Sequence, residues 1–107
     1  MAIQLSYTSL QGVVATTAYH QIVRVDYLVD NSPNCRATVR VYKDKTAKST
    51  GYEPLDENII KFDLTFGGKS PDPLAQAYTA IKKVETVTDS RGKSKPVNYK
   101  TGPRTDV

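Results

Sequence analysis

The chain has 107 residues, of which 38% are hydrophobic and 24% charged, with a net charge of +4, one cysteine and one histidine. That length supports one domain with a modest core. The lone Cys35 and His20 exclude an internal disulfide and a Cys/His zinc site, and no apolar run reaches the roughly 18–20 residues that span a bilayer.

The N-terminal stretch lacks a basic region followed by a continuous apolar run, so no signal peptide is predicted. A single thiol suits folding in a reducing cytosol. Residues 1–84 carry ten Lys/Arg and eight Asp/Glu; residues 85–107 carry five and three. Each part is net +2, so basic charge is denser at the C-terminal end. Such a balance favours an acidic protein surface or a nucleic acid.

Ile3, Leu5 and Tyr7 alternate with Gln4, Ser6 and Thr8, the pattern of a half-buried strand, and Gly12 marks the turn after it. The β-branched run from Val13 to Asp30 is too long for one ordinary strand and predicts a bend or bulge near Ala15–Ala18. Beyond it, Val23, Val25, Tyr27 and Val29 share the predicted inner face. Residues 31–34, Asn-Ser-Pro-Asn, form a turn. Cys35, Ala37, Val39 and Val41 then alternate with Arg36, Thr38, Arg40 and Tyr42, so the two runs predict a β-hairpin.

Residues 44–58 are polar, with room for a short strand around Ser49–Glu53 ended by Pro54. Ile60, Phe62, Leu64 and Phe66 then share one face of the most apolar strand, which is predicted to be central. The period changes after Gly67-Gly68. Leu74, Ala77, Tyr78, Ile81 and Val84 fall at helical spacing, with Asp72 as N-cap and Pro73 at the first position. These signals predict a helix over about 73–84, and residues 85–92 leave room for one more short strand.

The fold class predicted is mainly β (α+β): a small antiparallel β-sheet or sandwich with one C-terminal amphipathic helix and an extended basic C-terminal arm. The domain is placed at residues 1–86 and the arm at 87–107. The predicted core is Ile3, Leu5, Val23, Val25, Tyr27, Val29, Val39, Val41, Ile60, Phe62, Leu64, Phe66, Leu74, Tyr78 and Ile81. The arm holds few apolar side chains, chiefly Val97, Tyr99 and Val107. Alone it is predicted to be disordered and to need a neighbouring protein to hold it.

No residue pattern carries an enzyme's chemistry. His20 heads a strand and lacks a flagged nucleophile or orienting acid. Cys35 keeps company with Ala37, Val39 and Val41 and reads as a small core residue. Asp30, Asp56 and Glu57 lie at turns. Gly67-Gly68-Lys69-Ser70 lacks the upstream glycine of a phosphate loop and reads as a strand-to-helix turn. No catalytic residue, metal site or cofactor is predicted. The best polar surface is the strand face bearing Arg36, Arg40 and Tyr42. Arginine and tyrosine serve protein interfaces, and also single-stranded nucleic acid. Arg91, Lys93, Lys95, Tyr99, Lys100 and Arg104 extend the predicted interface along the arm.

Three stretches, Ala18–Ile22 (AYHQI), Ala37–Asp44 (ATVRVYKD) and Asp72–Lys82 (DPLAQAYTAIK), resemble a group of small virion proteins of tailed bacteriophages. The likeness covers about residues 3–84 and rests on Pro73, Ala75, Gln76, Ala77, Tyr78, Ile81 and Lys82 in the helix; the basic arm departs from it. The resemblance implies a virion structural protein that serves tail, baseplate or fibre attachment, or decorates the head. Its partners would be other virion proteins and copies of itself in a symmetric assembly. It would be made and folded in the host cytoplasm, with no membrane role. The alternative is a small nucleic-acid-binding module using the arm and the Arg36/Arg40/Tyr42 face.

Overall fold

The computed structural model describes residues 2–107. In chain order the elements are β1 (Ile3–Gln4), β2 (Tyr7–Thr8), β3 (Val14–Ala15), β4 (Tyr19–Tyr27), β5 (Cys35–Tyr42), α1 (Lys45–Thr50), β6 (Asp56–Phe62), α2 (Pro73–Ile81), β7 (Thr86–Thr88), β8 (Ser94–Pro96) and β9 (Thr105–Asp106). One antiparallel sheet has the order β8-β7-β6-β5-β4-β1-β9, and β2 pairs with β3 in a second, two-stranded sheet. The protein is therefore mainly β, with two helices.

β5 occupies the centre of the large sheet because its alternation is complete. Cys35, Ala37, Val39 and Val41 are all fully buried, and strand neighbours flank β5 on both sides. The β4–β5 hairpin runs from Tyr19↔Tyr42 to Tyr27↔Cys35. β6, expected at the centre, lies one strand off it and stops at Phe62. Leu64 continues against the core, but Phe66 is exposed.

The predicted inner face of β4 is half wrong, and a bulge is the reason. The expected break near Ala15–Ala18 is present, with β3 ending at Ala15 and β4 beginning at Tyr19, and a further register shift lies between Ile22 and Arg24. One extra residue reverses which side chains point inward. Before it, His20 and Ile22 are buried; at it, Val23 is exposed; beyond it, Val25 packs against the core. Tyr27 and Val29 are exposed, as is Leu74 on α2.

α2 begins as its sequence signals require. The Asp72 carboxylate accepts from the Ala75 amide at 2.8 Å, and Pro73 holds the first turn. Ala77, Tyr78 and Ile81 are buried, and the Tyr78 hydroxyl accepts from the Ile22 amide at 3.0 Å. That bond uses the donor freed next to the β4 bulge to lock the helix onto the sheet. α1 replaces the short strand expected around Ser49–Glu53. Asp44 caps it through the Ala47 amide at 2.7 Å, Gly51 ends it at φ 87, and Ala47 is its buried contact. Local capping decided that segment.

The largest departure is at the C-terminal end. α2 is not the last element, and residues 87–107 are not an arm extended from the body. β7 and β8 form a hairpin on one edge of the sheet, and β9 pairs with β1 on the other. Val97 is 5% exposed and Tyr99 0%. Ala2 and Val107 exchange backbone hydrogen bonds at 2.8 and 2.9 Å, and Lys82 meets Asp106 at 2.7 Å. The radius of gyration is 13.7 Å, close to the roughly 13 Å of a compact chain this long. Between Tyr99 and β9 the chain turns at Gly102, whose amide donates to the Asn98 carbonyl at 3.1 Å. A Cβ there would sit 2.3 Å from that carbonyl oxygen and 3.1 Å from Leu5, so only glycine fits this approach.

Candidate functional site

Alternation places Arg36, Thr38, Arg40 and Tyr42 together on the outer side of the sheet, as the sequence predicts. Their cross-strand neighbours decide what that face offers. Arg40 stands between Gln21 and Glu57, and its Nε donates to Glu57 at 3.0 Å. Arg36 stands between Asp26 and Lys61; its Nε lies 3.6 Å from Asp26, which Arg24 also engages at 2.9 Å. Tyr42 is no surface anchor: it is buried with Tyr19 and Ala2 in a small outer cluster. The two arginines thus face carboxylates of their own sheet, and exposed pairs of this kind contribute at most about 1 kcal/mol each.

The predicted arm residues scatter. Arg91, Lys93 and Lys100 are exposed. Tyr99 is fully buried, and Arg104 donates to the Tyr99 and Lys100 carbonyls at 2.6 and 3.2 Å. Lys95 turns inward, where its Nζ lies 3.2 Å from Asp56 and 4.2 Å from the centre of the Tyr7 ring. Tyr99 and Lys95 therefore contribute to the interior of the fold.

Two buried polar clusters result, and the sequence shows neither. In the first, His20 Nε2 lies 2.8 Å from the Leu5 carbonyl, which can only accept, so Nε2 carries the proton. Nδ1 then accepts from the Tyr99 hydroxyl at 2.7 Å, and the Tyr7 ring meets the imidazole edge-on. Burial lowers the His20 pKa from 6.5 to about 4, against the opposing pull of the Leu5 carbonyl. The folded imidazole is neutral at pH 7. Because its folded pKa lies below its unfolded one, the unfolded chain binds more protons between those values. Stability from this group is complete above about pH 6.5 and falls as pH drops toward 4. Denaturant titrations across that window should show a loss of up to about 3 kcal/mol, largely absent in His20→Gln. A wild-type stability flat from pH 7 to 4 would contradict the assignment.

The second cluster gathers on Asp56. Its Oδ2 accepts from the Tyr7 hydroxyl at 2.5 Å, the Leu10 amide at 3.0 Å and the Lys95 ammonium at 3.2 Å. Asn58 Nδ2 donates to the Tyr7 oxygen at 3.0 Å, while Asn58 Oδ1 is buried with no partner among the described residues. Burial first, and the bond to Asp56 second, push the Tyr7 phenol up. The Cys35 thiol is likewise raised by burial, which makes it a poor nucleophile.

Tyr7 and Lys95 also line a groove of about 780 Å³ between Leu5–Leu10 and Ser94–Asn98, together with Gly102 and Pro103. Asp89 and Arg91 also line it. Asp89 holds the β7–β8 turn by accepting from the Arg91 and Lys93 amides at 2.9 and 3.1 Å and from the Arg91 guanidinium at 3.1 Å. Burial opposes ionisation of Asp89, yet these donors outweigh it and hold its carboxyl below the usual range.

Comparison with protein-family models, curated proteins and solved structures finds no match. Among the described residues, no three His, Cys, Asp or Glu side chains gather as metal ligands. The Asp56 cluster is a clasp: one carboxylate joins β2, the turn after it and β8. The groove beside it is lined by Ser6, Thr8, Ser9, Ser94 and Arg91 among others.

Proposed function

We propose that this chain works through protein–protein contacts as a non-enzymatic structural component of a tailed-bacteriophage particle. Its place would be an adaptor of the tail, baseplate or fibre attachment, or a decoration of the head. One observation supports the contact role above others. Tyr27 and Phe66 stack edge-on at 5.4 Å, 50% and 66% exposed, and Val29, two residues after Tyr27, is 66% exposed. Two exposed aromatic rings in mutual contact cost solvation that a partner surface would recover. Arg36 and Arg40 of the same sheet, already matched by Asp26 and Glu57, favour a protein partner over a phosphate backbone, which needs uncompensated cations.

The particle assignment rests on the resemblance of the three stretches. Their shared residues are fold-forming here: Ala18, His20 and Ile22, then Ala37, Val39 and Val41, then Ala77, Tyr78 and Ile81 are all buried. Partners would be other virion proteins and further copies of the chain, and the protein would reside in the virion.

The test is incorporation. Mass spectrometry of particles purified from the producing culture should find the chain in multiple copies. Tyr27→Ser combined with Phe66→Ser should leave thermal stability nearly unchanged, since both rings are on the surface, and remove the chain from particles. Absence of the wild-type chain from particles, or normal incorporation of the double variant, would refute the proposal. Tight, salt-sensitive binding to a single-stranded oligonucleotide would instead establish the alternative.

A further inference from the structure

We propose that the groove between β2 and β8 takes up an extended, acidic segment of another protein, which adds as a strand to both edges at once. The inference rests on the protein-contact part of the function proposed above. It names where one contact is made and by what chemistry.

The groove is lined by consecutive residues, Leu5–Leu10 on one wall and Ser94–Asn98 on the other. A strand that offered a face would contribute alternate residues; consecutive ones mean that its edge is open. Neither β3 nor β7 takes part in the lining, so the groove meets β2 and β8 on the sides away from their partners.

Backbone parity then identifies the open groups. Ser9 donates to the Val13 carbonyl at 2.8 Å in the register Tyr7↔Ala15, Thr8↔Val14. Tyr7 and Ser9 are thereby turned toward β3, and Ser6 and Thr8 toward the groove. On the other wall, Asp89 donates to the Lys93 carbonyl and Val97 to the Glu85 carbonyl, at 2.8 and 3.1 Å, with Val87 opposite Lys95. Lys93, Lys95 and Val97 are turned toward β7, which leaves the Ser94 amide and the Ser94 and Pro96 carbonyls for the groove. Pro96 lacks a donor, so it narrows the registers that a guest can adopt.

The walls are pre-set. Lys95 reaches from β8 to Asp56 and the Tyr7 ring, and Asp56 holds Tyr7 and Leu10 of the opposite wall. Gly102 and Pro103, which line the groove, lie just before β9 starts at Thr105. A guest would therefore continue along the side of the chain that β9 already covers at Ile3–Gln4. Four residues of open edge, Ser6–Ser9, correspond to about 13 Å of extended chain.

The cations at the groove select for acid. The oxygens of Asp89 are spent on the Arg91 and Lys93 amides and the Arg91 guanidinium. The Arg91 side chain is still 60% exposed and retains donors beyond the one given to Asp89. Lys93 beside it is exposed. A glutamate or aspartate on the guest meets charge-assisted donors there.

The experiment uses amide hydrogen exchange by NMR on the whole chain, with a synthetic peptide of alternating threonine and valine bearing two glutamates as probe. At saturating peptide, exchange at the Ser6, Thr8 and Ser94 amides should slow at least about tenfold, the change expected when a solvated amide enters a strand ladder. A proline at the peptide's centre should abolish this. Arg91→Glu should weaken binding by about two- to fivefold. Unchanged exchange at all three amides at millimolar peptide, or the same protection produced by an oligonucleotide, would overturn the proposal. Incorporation into particles with unprotected edges would remove this inference and leave the function standing. Protected edges in a chain absent from particles would do the reverse.

Discussion

Tyr99→Ala should destabilise the protein by about 3–5 kcal/mol, the cost of removing a fully buried aromatic ring. Against a typical total of about 5–15 kcal/mol, that is enough to leave much of the chain unfolded near body temperature. Tyr99 has no exposed surface, and its hydroxyl supplies the proton that His20 Nδ1 accepts. Its backbone amide donates to the Val84 and Val97 carbonyls, each at 3.1 Å, and its carbonyl accepts from Arg104. The residue therefore ties β8, the end of α2 and the final strand to the interior of β4. Tyr99→Phe separates the two contributions. It keeps the ring and leaves a buried imidazole nitrogen unpaired, at about 1–3 kcal/mol. Chemical denaturation of both variants checks the order. A Tyr99→Ala protein within 1 kcal/mol of wild type would mean that the C-terminal segment does not rest on this body.

Asp56→Ala should cost a similar amount for a different reason. The carboxylate side chain is 7% exposed and its partner Lys95 14%. Removing one member of a buried ion pair strands the other charge, typically at about 3–5 kcal/mol. Here the Tyr7 hydroxyl and the Leu10 amide lose their acceptor as well. The decisive comparison is the double variant Asp56→Ala with Lys95→Met. It restores apolar bulk and removes the stranded ammonium, so it should recover much of the loss. A double variant no more stable than the single one would show that the ion pair is not what Asp56 contributes. Because the clasp also sets the spacing of the groove walls, the single variant should lose peptide-induced protection at Ser94 even where it remains folded.

Local sequence places Tyr99 and Lys95 at an interface, the first among polar and basic neighbours and the second by its charge. Burial is not a local property. Tyr99 meets His20 across 79 positions of chain, and Lys95 meets Asp56 across 39. A composition window around residue 99 contains none of the residues that form its pocket. The tail's own apolar side chains are too few to order it, but Leu5, His20 and Val84 offer it a surface from elsewhere in the chain. Asp56 looks like a turn acid for the same reason: its partners come from other segments.

Where a determinant is local, the sequence sufficed. Strict alternation from Cys35 to Val41 defined a strand buried on one side, and the turn at residues 31–34 joined it to β4. Asp72 and Pro73 began α2, whose apolar spacing placed Ala77, Tyr78 and Ile81 inside. Tertiary structure decided what local pattern cannot carry. The bulge between Ile22 and Arg24 exchanged the faces of β4, since one inserted residue reverses a period of two. The seat of residues 97–107, the two buried polar clusters and the double-edged groove exist only where distant segments converge. Their free energy comes from long-range burial and hydrogen bonding, which no run of neighbouring residues encodes.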